Sequence, residues 1–220
     1  PIRFHDEYDL PKTHFTILDS KKRLQHKTTI RTIMSYRDTP LDIAIIGMSG
    51  RFPKAPSIHA LWETLIQGKD CITTIPKTRW KDNSHPYKWG GFIDDVDSFD
   101  TTLFKIPPTE AAYMDPQQRL LLQSVYHAIS HAGYCQTDFA KKQTAVFVAL
   151  DAIDYTQISR YDTRIDEFTE TGCSASIAAN RISHHLGLEG LSEVVNTACS
   201  SVFVALERAI DTLNKGRCDQ

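Results

Sequence analysis

Seven consecutive residues, Thr144-Ala145-Val146-Phe147-Val148-Ala149-Leu150, carry no charge and no helix breaker, which marks a buried strand. A strand of that kind needs helices over its faces, and the chain supplies them in alternation. Leu41-Asp42-Ile43-Ala44-Ile45-Ile46 is β-branched, nearly all apolar and stops at Gly47, so it reads as a buried central strand. Ser57 can cap a following helix with Ile58, Leu61, Trp62, Leu65 and Ile66 on one face, ended by Gly68. Leu191–Thr197 is a third strand candidate, and the segment from Gly172 to Leu186 reads as one helix. Its small residues Ala175, Ala178 and Ala179 would let another backbone approach closely. Strands alternating with helices in this order predict an α/β layer fold.

The strongest local signal is Asp115-Pro116-Gln117-Gln118. Asp115 can accept from the unpaired N–H groups of a helix start, and Pro116 sits where a missing N–H costs nothing. Gln118, three residues past the cap, is placed to reach back as in a capping box. Leu121, Leu122, Val125, Ile129 and Ala132 then form an apolar stripe closed by Gly133. Between these elements, residues 69–108 are rich in loops, punctuated by Pro76, Pro86, Gly90-Gly91 and Pro107-Pro108. Residues 1–39 are polar and basic without sustained periodicity, and read either as a linker or interdomain segment with a short helix near Lys21–Met34 or as a disordered polar tail. Pro1 in the place of an initiating Met leads us to expect a fragment or a processed piece.

Composition removes several function classes. Lys and Arg (25) nearly balance Asp and Glu (27), without the basic excess of a nucleic-acid partner. There is no apolar run near the ~18 residues of a membrane span and no signal-peptide pattern. The five cysteines, at 71, 135, 173, 199 and 218, form no C-x-x-C pair, so a zinc or thioredoxin-like site has no support. Their odd number and irregular spacing fit thiols in a reducing cytoplasm, mostly as buried small apolar residues. His184-His185 are neighbours and so point apart on a helix, in surface or packing roles. Asp94, Asp95 and Asp97 read as a solvated acidic turn.

Cys199 is different. It stands between the strand ending at Thr197 and a helix whose apolar residues Phe203, Leu206, Ile210 and Leu213 recur at helical spacing. A thiol there faces unpaired backbone N–H groups and the positive end of a helix dipole, which favours the thiolate that attacks acyl groups. The small neighbours Ala198, Ser200 and Ser201 leave room for a substrate and for backbone donors to an oxyanion. Ser200 is the nearest rival nucleophile, but no Gly-x-Ser-x-Gly frames it.

Five segments in order then carry a family resemblance. They are Ile43-Ala44-Ile45-Ile46-Gly47-Met48-Ser49-Gly50-Arg51-Phe52-Pro53, Gly90-Gly91-Phe92-Ile93, Met114-Asp115-Pro116-Gln117-Gln118-Arg119, Ala179-Asn180-Arg181-Ile182-Ser183 and Thr197-Ala198-Cys199-Ser200-Ser201. From about residue 41 to its end the chain resembles the β-ketoacyl synthase (ketosynthase) domain of modular type I polyketide synthases. Ser192-Glu193-Val194-Val195-Asn196 looks like the ketosynthases of trans-acyltransferase assembly lines. The resemblance implies a thiolase-like α/β fold, here its N-terminal half, a mixed sheet with helices on its faces. On that reading residues 1–39 are a linker and 40–220 the N-terminal part of the domain.

The same resemblance implies the chemistry. Cys199 would accept an acyl chain from the phosphopantetheine thiol of an acyl carrier protein, for decarboxylative Claisen condensation with a malonyl-type extender. No cofactor is expected to bind directly. The expected partners are the acyl carrier protein, a complementary C-terminal half and a second copy of the complete domain, with no nucleic acid and no membrane. The two histidines that assist condensation in the family lie in that C-terminal half, in His-Gly-Thr-Gly-Thr and a later Asn-His segment. None of the nine histidines here occupies those motifs, so this fragment alone is expected not to condense. Two other readings stand beside this one: a non-catalytic segment joining two megasynthase subunits at a split module, and an acyl-transferring, non-elongating ketosynthase. Cys173 and Ala175 depart from the residues that relatives often carry near the substrate tunnel, and Gly190-Leu191-Ser192 replaces the usual Gly-Pro-Ser.

Overall fold

The structure, a computed structural model, describes residues 2–4, 42–79, 88–151, 154–155 and 168–220. The chain divides into two compact units, Pro1–Ile46 and Gly47–Gln220. In the first, β1 (Ile2–Phe4) pairs in parallel with β2 (Ile43–Ile45), Ile2 opposite Ile43 and Phe4 opposite Ile45. The expected buried strand over 41–46 is thus corrected. It is three residues long, Ala44 is exposed and Ile46 is 53% exposed. Its apolar run has a single neighbouring strand among the described residues, which leaves Ala44 and Ile46 exposed and Ile43 and Ile45 half-buried. The helix expected near 21–34 lies outside the described residues.

In the second unit, α1 (Ile58–Ile66) begins as expected, with Ser57 Oγ accepting from the Ala60 N–H at 3.1 Å. Its apolar face is not buried, however. Trp62, Leu65 and Ile66 are exposed, and Thr64 is the buried residue of the helix. Periodicity reports which face can be covered; no described element covers this one. The loop-rich stretch that follows holds a short antiparallel pair, β3 (Thr73–Thr74) with β4 (Trp89–Gly90), and two short helices, α2 (Thr101–Phe104) and α3 (Pro108–Tyr113). Asp94, Asp95 and Asp97 are exposed, as the sequence predicts.

The core is built by α4 (Pro116–His131), β5 (Val146–Ala149), α5 (Phe168–Cys173), α6 (Ala175–Leu186) and β6 (Ser192–Val195). Phe104, Met114, Leu122, Val148, Leu150, Ala178, Ala179, Ile182 and Leu186 form one buried cluster, with Leu121, Val125 and Ile129 packed against it. The stripe read along α4 is therefore its buried face. Asp115 caps α4 through the Gln117 N–H at 2.8 Å. Burial holds the Asp115 carboxyl above its ordinary range, against the opposing pull of that hydrogen bond.

Gln118 does not close a capping box. Its side chain is buried, and Nε2 donates to the carbonyls of Thr171 at 3.3 Å, Gly172 at 2.9 Å and Ser174 at 3.2 Å. Its Oε1 accepts from Arg181 Nε at 2.9 Å, and Arg181 also pairs with Glu110 at 2.5 Å. This arrangement ties α3, α4, α5 and α6 together. It also explains why the helix expected over 172–186 is broken. Carbonyls at the break turn to an amide side chain from α4, and Ser174 takes an extended backbone between α5 and α6. Gln118→Ala would take one donor from each of three carbonyls, which keep contacts from Asp115, Ile177 and Arg181, and one acceptor from the Arg181 guanidinium, which keeps Glu110. We expect it to cost about 2 kcal/mol in urea denaturation, the range for losing a hydrogen bond to a charged group.

His184 is exposed and His185 turns inward, as adjacent helical positions require. The His185 ring lies 5.2 Å from Phe104, and its Nε2 is buried without a hydrogen-bond partner among the described residues. Burial, with the charges of His184 and Lys105, holds its pKa below the ordinary 6.5. The unfolded chain therefore takes up this proton at a higher pH than the folded one. Stability should fall as pH drops below about 6.5, the loss being complete once pH is under the folded value. His185→Phe keeps the ring packing and removes the proton, so its denaturation midpoint should fall less than the parent's between pH ~7.5 and ~5.5. Equal falls would contradict this placement.

Candidate active site at the strand-to-helix turn

β5 and β6 run parallel, Val146 opposite Ser192 and Ala149 opposite Val195. Gly190, just before β6, passes so close to β5 that an added Cβ would lie 2.3 Å from the Thr144 carbonyl oxygen. At the other end of β6 the chain turns over Asn196–Ser200 and enters α7 (Ser201–Asn214), which packs back onto both strands. The strand predicted to reach Thr197 ends at Val195, because its last two residues form the turn.

Cys199 sits in that turn one residue before Ser200, the N-cap of α7. Its side chain is exposed, and the residue preceding it, Ala198, has φ +54°, in the left-handed region that L-residues seldom adopt. The turn is held by its own polar side chains. Asn196 Oδ1 accepts from the Ala198 N–H at 3.1 Å, and Asn196 Nδ2 donates to the Asp151 carbonyl at 3.3 Å, fastening the turn to the segment after β5. Ser200 Oγ donates within the turn to the Thr197 carbonyl at 2.8 Å and also lies 2.9 Å from Thr197 Oγ1. Ser201 Oγ accepts from the Thr197 N–H at 2.8 Å and donates to the Ala198 carbonyl at 2.7 Å. Ser200, the rival nucleophile, therefore has its hydroxyl engaged with Thr197.

No side-chain hydrogen bond caps α7, so the first-turn N–H groups of a fourteen-residue helix receive no side-chain partner from Ser200. Negative charge developing near Cys199 faces the positive end of that helix dipole. Sequence periodicity located the thiol; it did not reveal Asn196 and Ser201 as the residues that shape its turn. Small polar residues around a nucleophile are legible only as space, since their hydrogen bonds depend on the left-handed step at Ala198.

The described histidines fall outside this turn. His131 Nδ1 accepts from the Met48 N–H at 3.2 Å, and the His127 ring lies edge-on to Tyr126 at 5.6 Å. Among the described residues no cluster of three His, Cys, Asp or Glu side chains could hold a metal ion. No described helix is long and apolar enough to cross a membrane. Of the cysteines expected to be buried, Cys173 and Cys218 are; Cys71 is partly exposed and Cys135 is exposed, its thiol 3.1 Å from Asp138 Oδ2. Cys135 is outside because it caps a short 3-10 turn (Gln136–Asp138) rather than facing the core. Of the two departures noted near the site, Cys173 is buried with its Sγ 3.8 Å from the Tyr113 carbonyl, and Leu191 is exposed while its carbonyl accepts from the Val146 N–H at 2.7 Å.

Apolar residues on α7 face solvent. Val202 and Leu206 are exposed and Phe203 is 74% exposed, and Phe203, Leu206 and Ile210 line an open groove with Glu207, Asp211 and Asn214.

Residues 41–220 match the family described as "Beta-ketoacyl synthase, N-terminal domain". The polyketide synthase PksN of Bacillus subtilis is 39% identical over 212 residues, covering 91% of this chain and 4% of that protein. The polyketide synthase ThaG of Burkholderia thailandensis is 40% identical over 188 residues, 80% of this chain and 3% of that one. Among solved structures, a ketosynthase from module 6 of the B. subtilis bacillaene synthase superposes with a TM-score of 0.71 at 34% identity, over 80% of this chain and 30% of its own. The oxazolomycin ketosynthase domain OzmH KS7 of Streptomyces albus gives 0.71 at 34% identity, over 79% and 32%. The chain thus spans about a third of each solved ketosynthase and a few per cent of the curated synthases. With its parallel β5–β6 pair, its helical layers and its cysteine-bearing turn, the chain belongs to the β-ketoacyl synthase family of polyketide synthases, with a thiolase-like α/β fold of which it forms the N-terminal half.

Proposed function

We propose that Cys199 is the acyl-accepting nucleophile of a polyketide-synthase ketosynthase. The observation that carries this is its exposed thiol in the strained turn between β6 and α7, at a helix N-terminus. The thiolate attacks the carbonyl of an acyl chain carried as a thioester on the phosphopantetheine of an acyl carrier protein. The carrier thiol leaves and a new thioester forms on Sγ. A malonyl-type extender on a second carrier then loses carbon dioxide, and its carbanion attacks the Cys199 thioester. This forms a C–C bond and releases the thiol. The condensing half-reaction relies on two histidines of the C-terminal half, and no cofactor bound to this chain is required.

On this reading residues 1–39 are a linker and residues 40–220 the N-terminal part of the domain. The segment Ser192-Glu193-Val194-Val195-Asn196 supports the trans-acyltransferase type. The complete domain works as a homodimer. The five cysteines, all among the described residues, form no disulfide, which supports a reducing, cytoplasmic setting.

The exposed residues Val202, Phe203 and Leu206 on α7 support the C-terminal half as the partner of this face, since apolar side chains so grouped gain most by burial. Phe203→Asp should weaken assembly with that half by about tenfold or more, from the loss of ~1.5–3 kcal/mol of apolar burial and the cost of a buried charge. Coelution on size exclusion would measure it. The function itself is tested by loading the complete domain with an acyl thioester and adding malonyl-loaded carrier protein. We expect a β-ketoacyl product on the carrier that disappears with Cys199→Ala. Acyl loading without such a product would favour a non-elongating ketosynthase, and neither loading nor product would favour the non-catalytic segment.

A further inference from the structure

We infer that Ser201 is the positioning residue of the Cys199 turn, an inference that rests on Cys199 being the nucleophile. The left-handed step at Ala198 is unfavourable for any residue with a Cβ, so it persists only if the surroundings impose it. Ser201 imposes it from both sides. Its hydroxyl accepts from the Thr197 N–H and donates to the Ala198 carbonyl, so one oxygen holds a polar group on each side of the strained residue.

Two features separate this from an ordinary helix cap. The N-cap of α7 is Ser200, and it makes no capping hydrogen bond; Ser201 is already the first helical residue, with its side chain directed back onto the turn. Ser201 is also 4% exposed, whereas Asn196, Thr197, Ala198, Cys199 and Ser200 are all exposed. Water can replace the hydrogen bonds made by Asn196 and Ser200, but it has little access to those of Ser201. The buried hydroxyl therefore couples α7 to the turn. Through Ala198 it sets where the Cys199 thiol stands relative to the helix N-terminus.

A direct consequence is that strain at Ala198 and loss of the Ser201 hydroxyl should offset one another. In the complete domain, Ser201→Ala should slow acylation of Cys199 by an acyl thioester about tenfold in kcat with little change in KM, since misplacing a reacting group mainly costs rate. Adding Ala198→Gly to that variant removes the Cβ that disfavours the left-handed backbone, and should restore the rate to within about threefold of the parent. Near-parental kcat in the single variant, or no recovery in the double variant, would overturn the assignment.

Peptide-mapped alkylation by iodoacetamide at Cys199, with the exposed Cys135 as internal reference, separates this inference from the reading beneath it. If the parent takes no acyl group, the nucleophile assignment fails, yet the alkylation ratio still decides on Ser201. A shift of about threefold or more on Ser201→Ala, reversed by the added glycine, supports the positioning role. An unchanged ratio overturns it.

Discussion

Replacing Gly172 with alanine should cost about 4 kcal/mol of stability, a large share of the ~5–15 kcal/mol typical of a folded domain. A Cβ at this position would stand 2.2 Å from the Tyr113 carbonyl oxygen and 2.6 Å from its carbon. The neighbour is backbone, not the tip of a flexible side chain, so relief requires α3 and α5 to separate. Separation would stretch two further contacts, because the Gly172 carbonyl accepts from the Asp115 N–H at 2.9 Å and from Gln118 Nε2 at 2.9 Å. Gly68 provides the control. It has φ +60° and nothing within 4 Å of an added Cβ, so Gly68→Ala should cost only about 1 kcal/mol of backbone strain. Urea midpoints for the two variants would check the contrast. Equal losses would mean that the approach of α5 to Tyr113 is not as tight as described.

What was legible in the sequence was local. Asp115 and Pro116 announce a helix start because a cap is satisfied within three residues, and Ser57 does the same for α1. The stripe along α4 and the run ending at Leu150 gave the core correctly, because those faces find cover within the chain. Trp62, Leu65 and Ile66 follow the same helical spacing and stay exposed. Hydrophobic periodicity states a preference for burial, whereas cover is supplied by elements elsewhere. Ile46 and Phe203 belong to the same class.

Long-range polar contacts were not legible. Gln118 looked like half of a capping box, yet its amide serves carbonyls more than fifty residues away and meets Arg181. The segments around Gln118 and Arg181 carried part of the family resemblance, and their role in this chain is architectural: they hold α3, α4, α5 and α6 in register. At the site, the position of Cys199 could be read from the apolar spacing of the helix after it. The clamp made by Ser201 could not, since it depends on a left-handed alanine that no residue pattern announces.

The largest functional effect should come from Cys199→Ala, which removes the proposed acyl-accepting sulfur and leaves the turn's side-chain hydrogen bonds untouched, since those run through Asn196, Thr197, Ala198, Ser200 and Ser201. The remaining thiols are poor substitutes. Cys173 and Cys218 are buried, with burial pushing the Cys218 thiol above its ordinary range, and the Cys135 thiol is hydrogen-bonded to Asp138 Oδ2. Acylation should therefore fall by at least ~10³-fold, to the level of background thioester exchange, rather than pass to a neighbour.

The most direct measurement is peptide mapping of the acyl adduct after brief exposure of the complete domain to an acyl pantetheine thioester. The adduct is expected on the peptide containing Cys199, and Cys199→Ala should carry none. An adduct on any other residue of the parent, or undiminished acylation of the Cys199→Ala variant, would contradict the assignment of Cys199 as the nucleophile.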